Sequence, residues 1–457
     1  MNLIRKCLLT IVILGLITEG FSQDNKGILK LSISEAQTYA LQNNRSVQSA
    51  KIDISMMEKQ IWENISVGLP QLNLSTNYQH QFVIPEISFG PYLDVNSLPS
   101  GTITKDDILN AYKNSPPISL GVKNNTTFDF TLSQLIFSGE YIVGLQAAKV
   151  VKKVTEKSLV KTEAQTKESI AGTYSLVLVL GENIRLLNES LKSSEQTYND
   201  LVKMNQQGLN EETDVDQMKI SRSNIQTLIT SLQSQKEISM KLLKYQLGVD
   251  FSQQLVLTDS LSGILNQGNS QYLTSPGFKV ENSIDYQMIS DQEKVSALML
   301  KREQSKVLPT ISAFYRRHEQ TQAASLNFAV KDLVGVSLTL PIFSSGQRSS
   351  KISEARYALE KTRINKENVG KGLIMEFETA LSSYQTAYSN FTTNGESMVL
   401  SKKVYDKTII KYHEGVSSSF ELSQNQNQFL TAESNYYNSV LSLLNAKAKL
   451  DRILSSN

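Results

Sequence analysis

The chain has 457 residues, 40% of them apolar, and its 46 basic and 44 acidic residues leave a formal net charge of +2. Apolar content this low is thin for compact cores and suits long helices with narrow buried seams. Near-neutral, intermixed charge excludes the basic footprint of a nucleic-acid binder.

Residues 1–22 read as a secretory signal peptide. Arg5 and Lys6 precede the apolar run Leu8–Ile17, and the small residues Gly20 and Ser22 stand before Gln23. The only cysteine, Cys7, lies at the start of the apolar run rather than at a lipoprotein cleavage site, so the mature chain is expected to hold no disulfide. Beyond the leader no apolar run approaches about 20 residues, so no bilayer-crossing helix is expected.

From residue 23 onward the sequence is written twice. "GLPQLNLSTNYQH" from Gly68 matches "VLPTISAFYRRHE" from Val307, and "FTLSQLIFSGE" from Phe130 matches "VSLTLPIFSSGQ" from Val336. Tyr198 and Gly208 have the spacing of Tyr405 and Gly415. The first repeat is assigned to residues 23–250 and the second to 281–457, with a linker or equatorial segment at 251–280.

Each repeat predicts a helix, two strands, a long helix, a glycine tip and a return helix. The first helix covers about Ser34–Val67. Strands follow at about 71–83 and 126–137, where Leu72, Leu74 and Tyr78, then Phe128, Phe130 and Leu132, alternate with polar residues. The second repeat places strands at about 310–317 and 332–343, carried by Ile311, Ala313 and Tyr315 and by Val334, Val336 and Leu338. Pro70, Pro309 and Pro341 punctuate the junctions.

The long helices carry a heptad seam. In the first repeat it runs Ile170, Thr173, Val177, Leu180, Ile184, Leu187, Leu191, Ser194, Tyr198, Leu201. In the second it runs Ile374, Phe377, Leu381, Tyr384, Tyr388, Phe391, Gly395, Met398, Lys402, Tyr405, Ile409, Tyr412, opposed by Phe429, Tyr436, Val440, Leu443 and Leu450. The outgoing helix, about Tyr141–Gln207, spans roughly 100 Å, and its return arm, about Asp214–Leu247, roughly half that. The N-terminal helix supplies the missing length. Ile284–Lys306 and Glu421–Leu454 close the same sum, giving four helical columns per chain.

The tips fall at 208–213 and 415–420. Each has a Gly, then an aliphatic residue, then an acid: Gly208, Leu209, Asp214 and Gly415, Val416, Glu421. Gly allows the tight turn after a helix C-terminus, and an acid in the first turn of the next helix suits its dipole.

Four amphipathic strands make a sheet with two open edges, which lipid does not tolerate, so a spanning sheet must close. Two chains would supply eight strands, a barrel filled by its own side chains, and three would supply twelve, which leaves a lumen. Counting favours a homotrimeric 12-strand barrel continued by a 12-column helical barrel.

This duplicated plan resembles the TolC-like outer-membrane efflux proteins. The "LP" before the first strand of each repeat, the "PIF" with its following "SG", and the glycine tips carry the resemblance over Leu31–Leu454. Gly208, Leu209, Thr213 and Asp214 fit the family's first tip pattern. Gly415, Val416, Phe420 and Glu421 hold its spacing at the second, with Glu in place of the usual Asp and no basic residue after Gly415. The resemblance implies a mainly α protein with a membrane β-barrel. It implies a trimeric, passive exit duct in the outer membrane that extends into the periplasm, contacts outer-membrane lipid, and docks by its tips to a periplasmic membrane-fusion adaptor and an inner-membrane pump of RND or ABC type. The cargo is either small molecules or, in a type I system, a polypeptide. Acidic rings can constrict such ducts near the inner end, where Asp406 and Glu414 lie.

No enzyme and no cofactor are expected. His80, His318 and His413 lack metal-ligand spacing, and neither a Gly-x-Ser-x-Gly elbow nor a phosphate loop occurs. A periplasmic coiled-coil scaffold without a barrel is the competing class, and the four alternating strands speak against it. An envelope enzyme is the third reading, for which no site is present. The connection between the first two strands, about Val83–Asn125, is unusually long, and it holds Pro85, Pro91, Pro99, Pro116 and Pro117. In outer-membrane barrels the long loops face outward.

Overall fold

Pro70 and Pro309 each separate a helix from a strand, and the chain around them is laid out twice. The computed structural model describes residues 27–87, 104–113, 118–266, 277–324 and 327–454. The expected signal peptide with Cys7, and the prolines at 91, 99, 116 and 117, lie outside these residues.

The first repeat runs β1 (Leu29–Leu31), α1 (Ile33–Asn43), α2 (Arg45–Ser66), β2 (Gln71–His80), β3 (Glu86–Ile87), α3 (Lys105–Lys113), β4 (Ile118–Ser119), β5 (Asn124–Phe137), α4 (Gly139–Gln206) and α5 (Glu212–Leu247). After β6 (Leu255–Leu257) and α6 (Leu261–Asn266), a 3-10 turn at Val280–Asn282 leads into the second. This holds α7 (Ile284–Ser305), β7 (Thr310–Gln320), β8 (Asp332–Thr339), α8 (Gln347–His413) and α9 (Ser419–Leu454).

The chain divides into two units. One contains residues up to Gln48, Thr162–Phe278 and Glu376–Ser456, and the other Ser49–Lys161 and Lys279–Met375.

The first unit is helical and holds the seams. Ile170, Val177, Leu180, Leu187 and Leu201 are buried on α4, and Phe377, Tyr384, Tyr405 and Tyr412 on α8. Phe429, Val440, Leu443 and Leu450 of α9 are buried opposite them. Lys402, expected in the second seam, is exposed and bonds Asp406 one turn on, at 2.9 Å. A lysine on a seam can leave it at little cost when its ammonium reaches water.

A small parallel pair, β1 with β6, closes the other end of this unit, and the sequence pattern did not reveal it. Tyr174, fully buried on α4, donates its hydroxyl to the Leu31 carbonyl at 3.0 Å and pins that pair. The helix expected as one piece from Ser34 is broken at Asn44, whose backbone is extended and whose side chain caps α2 by accepting from Ser46 and Val47 N–H. The Asn44 amide also donates to the Gln246 carbonyl at the end of α5. There Gly248 turns left-handed at φ 72°, so close that a Cβ would stand 2.2 Å from the Asn43 carbonyl oxygen.

One stretch of α4 is long and apolar enough, by length and composition, to cross a membrane. This corrects the expectation that no such stretch exists. Half of it is buried inside the protein, where Ile170, Tyr174 and Val179 join the core that includes Leu243 and Val440. Its apolarity is that of a core helix.

The second unit holds a four-stranded antiparallel sheet in the order β2-β5-β7-β8. β2 ends at His80, short of the expected 83. β7 runs to Gln320, past 317, because β5 begins at Asn124 and offers Thr127 as its partner. β8 ends at Thr339, short of 343, because Pro341 has no N–H to give a ladder. A bulge lies between Leu135 and Phe137. Ion pairs tie the helices of this unit: Lys157 reaches the buried Asp291 at 2.5 Å, and Glu293 bridges Arg363 and Lys366.

Candidate docking tips and duct wall

Both tips are built the same way. At the end of α4 the Gly208 N–H bonds the Asn205 carbonyl and the Leu209 N–H bonds the Met204 carbonyl, each at 2.9 Å. At the end of α8 the Gly415 N–H bonds Tyr412 at 3.0 Å and the Val416 N–H bonds Lys411 at 2.9 Å. These paired bonds close a helix through a left-handed residue. Gly208 has φ 70° and Gly415 φ 74°, and a Cβ added to either would meet nothing within 4 Å. Backbone conformation, not space, demands glycine here.

The residues next to the glycines face outward. Leu209 is 67% exposed, Val416 73% and Phe420 67%. Apolar side chains held out on a rigid turn are the contact type a partner protein can cover.

Within the first tip the Asn205 amide donates to the Asn210 carbonyl and the Thr213 hydroxyl to the Glu211 carboxylate. Within the second the Ser417 hydroxyl donates to Glu421 at 2.7 Å, and Ser418 caps α9 by accepting from the Glu421 N–H. Asp214 sits in the first turn of α5 and accepts from the Ser419 hydroxyl of the other tip. Tyr412 lies beside it. Burial raises the Tyr412 phenol above its ordinary pKa, and the Asp214 charge adds to the rise. One rung further on, Ser221 donates to Gln426. Asp406 is paired with Lys402 and Glu414 is exposed, so this structure does not bring the two acids into one cluster.

The sheet has two unlike faces. Register puts Leu72 beside Leu132 and Tyr315, and Leu74 beside Phe130. Ala313 pairs with Val336 and Ile311 with Leu338 on the same side. Most of these apolar residues are exposed, as a lipid-facing wall requires. The other face carries Gln71, Asn73, Ser75, Asn77 and Gln79 from β2, with Thr127, Asp129, Thr131 and Ser133 from β5. Arg317 stands at the far end of the apolar face, 2.7 Å from Glu319 and 3.8 Å from Asp332. Charges there suit a membrane–water boundary. Among the described residues no cluster of His, Cys, Asp and Glu could hold a metal ion.

Residues 301–456 match the family described as outer membrane efflux protein. The whole fold is shared with solved outer-membrane channels. VceC of Vibrio cholerae is 14% identical with a TM-score of 0.68, covering 92% of this chain and 95% of that one. CmeC of Campylobacter jejuni is 16% identical with a TM-score of 0.69, covering 93% and 85%. MtrE of Neisseria gonorrhoeae, solved in an open state, is 14% identical with a TM-score of 0.70, covering 92% and 88%. About a third of the chain thus matches the outer membrane efflux protein family, and the whole chain shares the fold of these channels. No curated protein matches its sequence significantly.

The matched family is described as outer membrane efflux proteins, and the neighbours of like fold are outer-membrane proteins and channels. The family match covers the second repeat from residue 301 onward, and the fold extends the likeness to the first. What sequence reading missed is the set of contacts between the two tips. A signal was present: Asp214 with Ser419 and Ser221 with Gln426 are each 205 residues apart, close to the offset of the duplication itself.

Proposed function

We propose that three copies of this chain form a passive exit duct, and that the six helical tips so gathered dock to a periplasmic adaptor joined to an inner-membrane pump. The observation that carries this reading is the unfinished sheet. β2 and β8 are edges with no partner among the described residues, and one face is largely apolar and mostly exposed. In lipid an unpaired backbone group costs several kcal/mol, so the sheet must close with copies of itself. Twelve strands leave an open lumen where eight do not.

The tips support docking because they hold apolar side chains out on a turn that glycine fixes. Export of small molecules is the favoured use, with polypeptide export as the second reading. The same sheet argues against a barrel-free scaffold. Light scattering of detergent-solubilised protein should give a trimeric mass, and fractionation should recover it with the outer membrane. A stable folded monomer of full helix content would sink the duct reading.

A further inference from the structure

The polar face of the sheet is almost free of charge. Among the described residues of β2, β5, β7 and β8, register gives it only Asp129, His318 and Arg316. His318 Nδ1 lies 2.8 Å from the Asp129 carboxylate, and both side chains are about one-fifth exposed. That hydrogen bond and its part burial hold the acid back from the wall surface, though a neutral imidazole would not cancel its charge. Arg316 is different. It lies in the row Asn73, Thr131, Arg316, Leu333, is exposed, and has no ion pair with any described residue. On the opposite face Arg317 is held by Glu319 and Asp332. Two adjacent arginines thus have opposite fates: one neutralised toward lipid, one left bare on the polar wall.

We propose that Arg316 makes the inner wall of the barrel attract anions, so that the duct passes anionic small solutes in preference to cations. The inference rests on the trimeric duct reading, which turns the polar face inward and presents Arg316 three times around one level. A guanidinium stays charged at any working pH. Its nearest neighbours in the row are a hydroxyl and an aliphatic side chain, neither of which opposes it. Below it, the ring of Phe314 lies over Gly335, where a Cβ would come within 2.6 Å of the ring. The row beneath the cation is therefore aromatic and uncharged. Wall charge of one sign concentrates the opposite ion beside it.

The test uses the full chain, whose only cysteine lies in the leader at Cys7. Thr131→Cys places a thiol one strand away from Arg316, about 5 Å between backbones, well inside the roughly 8 Å screening length of physiological salt. Trimers in liposomes are reacted with two membrane-impermeant thiosulfonates, one anionic (sulfonatoethyl) and one cationic (trimethylammonium-ethyl). Adding Arg316→Gln should lower the anionic-to-cationic rate ratio about threefold. Adding Asp129→Asn instead should raise it. In planar bilayers the chloride-to-potassium permeability ratio, read from the zero-current potential across a salt gradient, should fall in Arg316→Gln as well.

An unchanged rate ratio overturns the proposal and leaves the duct standing. A changed rate ratio with unchanged permeability overturns the selection of cargo by this ring. Reaction at Leu132→Cys on the opposite face, with none at Thr131→Cys, reverses the wall and overturns both the proposal and the duct reading on which it rests.

Discussion

The two helical hairpins share spacing and differ in substance. The first has an aliphatic seam, with Ile170, Val177, Leu180, Leu187 and Leu201 buried on α4. The second is aromatic, with Phe377, Tyr384, Tyr405 and Tyr412 buried on α8. There Tyr405 stacks on Phe429 with ring centroids 5.8 Å apart. The Tyr436 ring packs over Gly395, where a Cβ would make an ordinary contact at 3.4 Å. The second hairpin also buries an acid. Glu433 on α9 is 1% exposed, and neither carboxylate oxygen has a hydrogen-bond partner. Duplication thus kept the positions that fix backbone geometry, Gly208 and Gly415 above all, and let the filling of the seams drift.

The sharpest break in that comparison is at the shared feature. Gly208→Val and Gly415→Val each force a β-branched residue into a left-handed turn. Trimer level in the outer membrane should stay normal, because the sheet residues belong to another unit of the chain. Export of a dye should fail, because docking depends on tip shape. Gly→Asn at the same positions should retain more export, since Asn tolerates this conformation. Thr213→Ala and Asp214→Ala should weaken docking less, each removing a contact worth about 1 kcal/mol. Normal export in both valine variants at normal trimer level would remove the docking role from the tips.

Seam chemistry predicts a graded difference. Tyr384 and Leu187 are both buried, at 0% and 1% exposure. Tyr384→Ala should cost about 4 kcal/mol and Leu187→Ala about 3 kcal/mol, because the larger deletion leaves the larger cavity. Urea titration followed by helical circular dichroism ranks them. A smaller loss at Tyr384 would mean that the aromatic seam relaxes around the gap.

Glu433 separates the hairpins by pH. Burial pushes its carboxyl up from an ordinary 4.5 to about 7, with Glu189 adding to the rise and Lys402 opposing it. Below about 4.5 both folded and unfolded chains hold the proton, and the group costs nothing. Between 4.5 and 7 the unfolded chain loses its proton first, so stability falls as pH rises. Above 7 the penalty is complete, roughly 3 kcal/mol at 1.36 kcal/mol per pH unit. Glu433→Gln should therefore raise the melting temperature at pH 8 and leave it unchanged at pH 4. An equal gain at both values would show that charge is not the cause.

The sequence made the architecture legible because duplication, period-2 strands and heptad seams are patterns of residue type along the chain. It left the β1 and β6 pair hidden, because three-residue strands are too short for periodicity to register. It left Glu433 hidden for a different reason. An acid on a seam of Gln, Asn and Ser looks like another solvated position until the packing of α9 closes around it. Arg316 and Arg317 fall on opposite faces by strand alternation alone, but only the register of β7 against β5 and β8 shows which neighbours each one meets.

The smallest difference lies in how the return helices begin. α9 starts with a side-chain cap: the Ser418 hydroxyl accepts from the Glu421 N–H at 3.2 Å. At the start of α5 the equivalent place is held by Glu211, whose side chain makes no such bond. A lost serine cap costs about 1 kcal/mol. Ser418→Ala should therefore speed amide exchange in the first turn of α9, whereas Glu211→Ala should leave α5 unchanged. Glu211→Ser offers the converse, a new cap on α5 worth about 1 kcal/mol and slower exchange at Thr213 and Asp214. The effect should stay within one turn, since cap energy is local to the four free N–H groups of a helix start. Hydrogen exchange on the trimer resolves both helices in one measurement. If Ser418→Ala and Glu211→Ala prove equal, the two tips differ only in residue names and not in how they hold their helices.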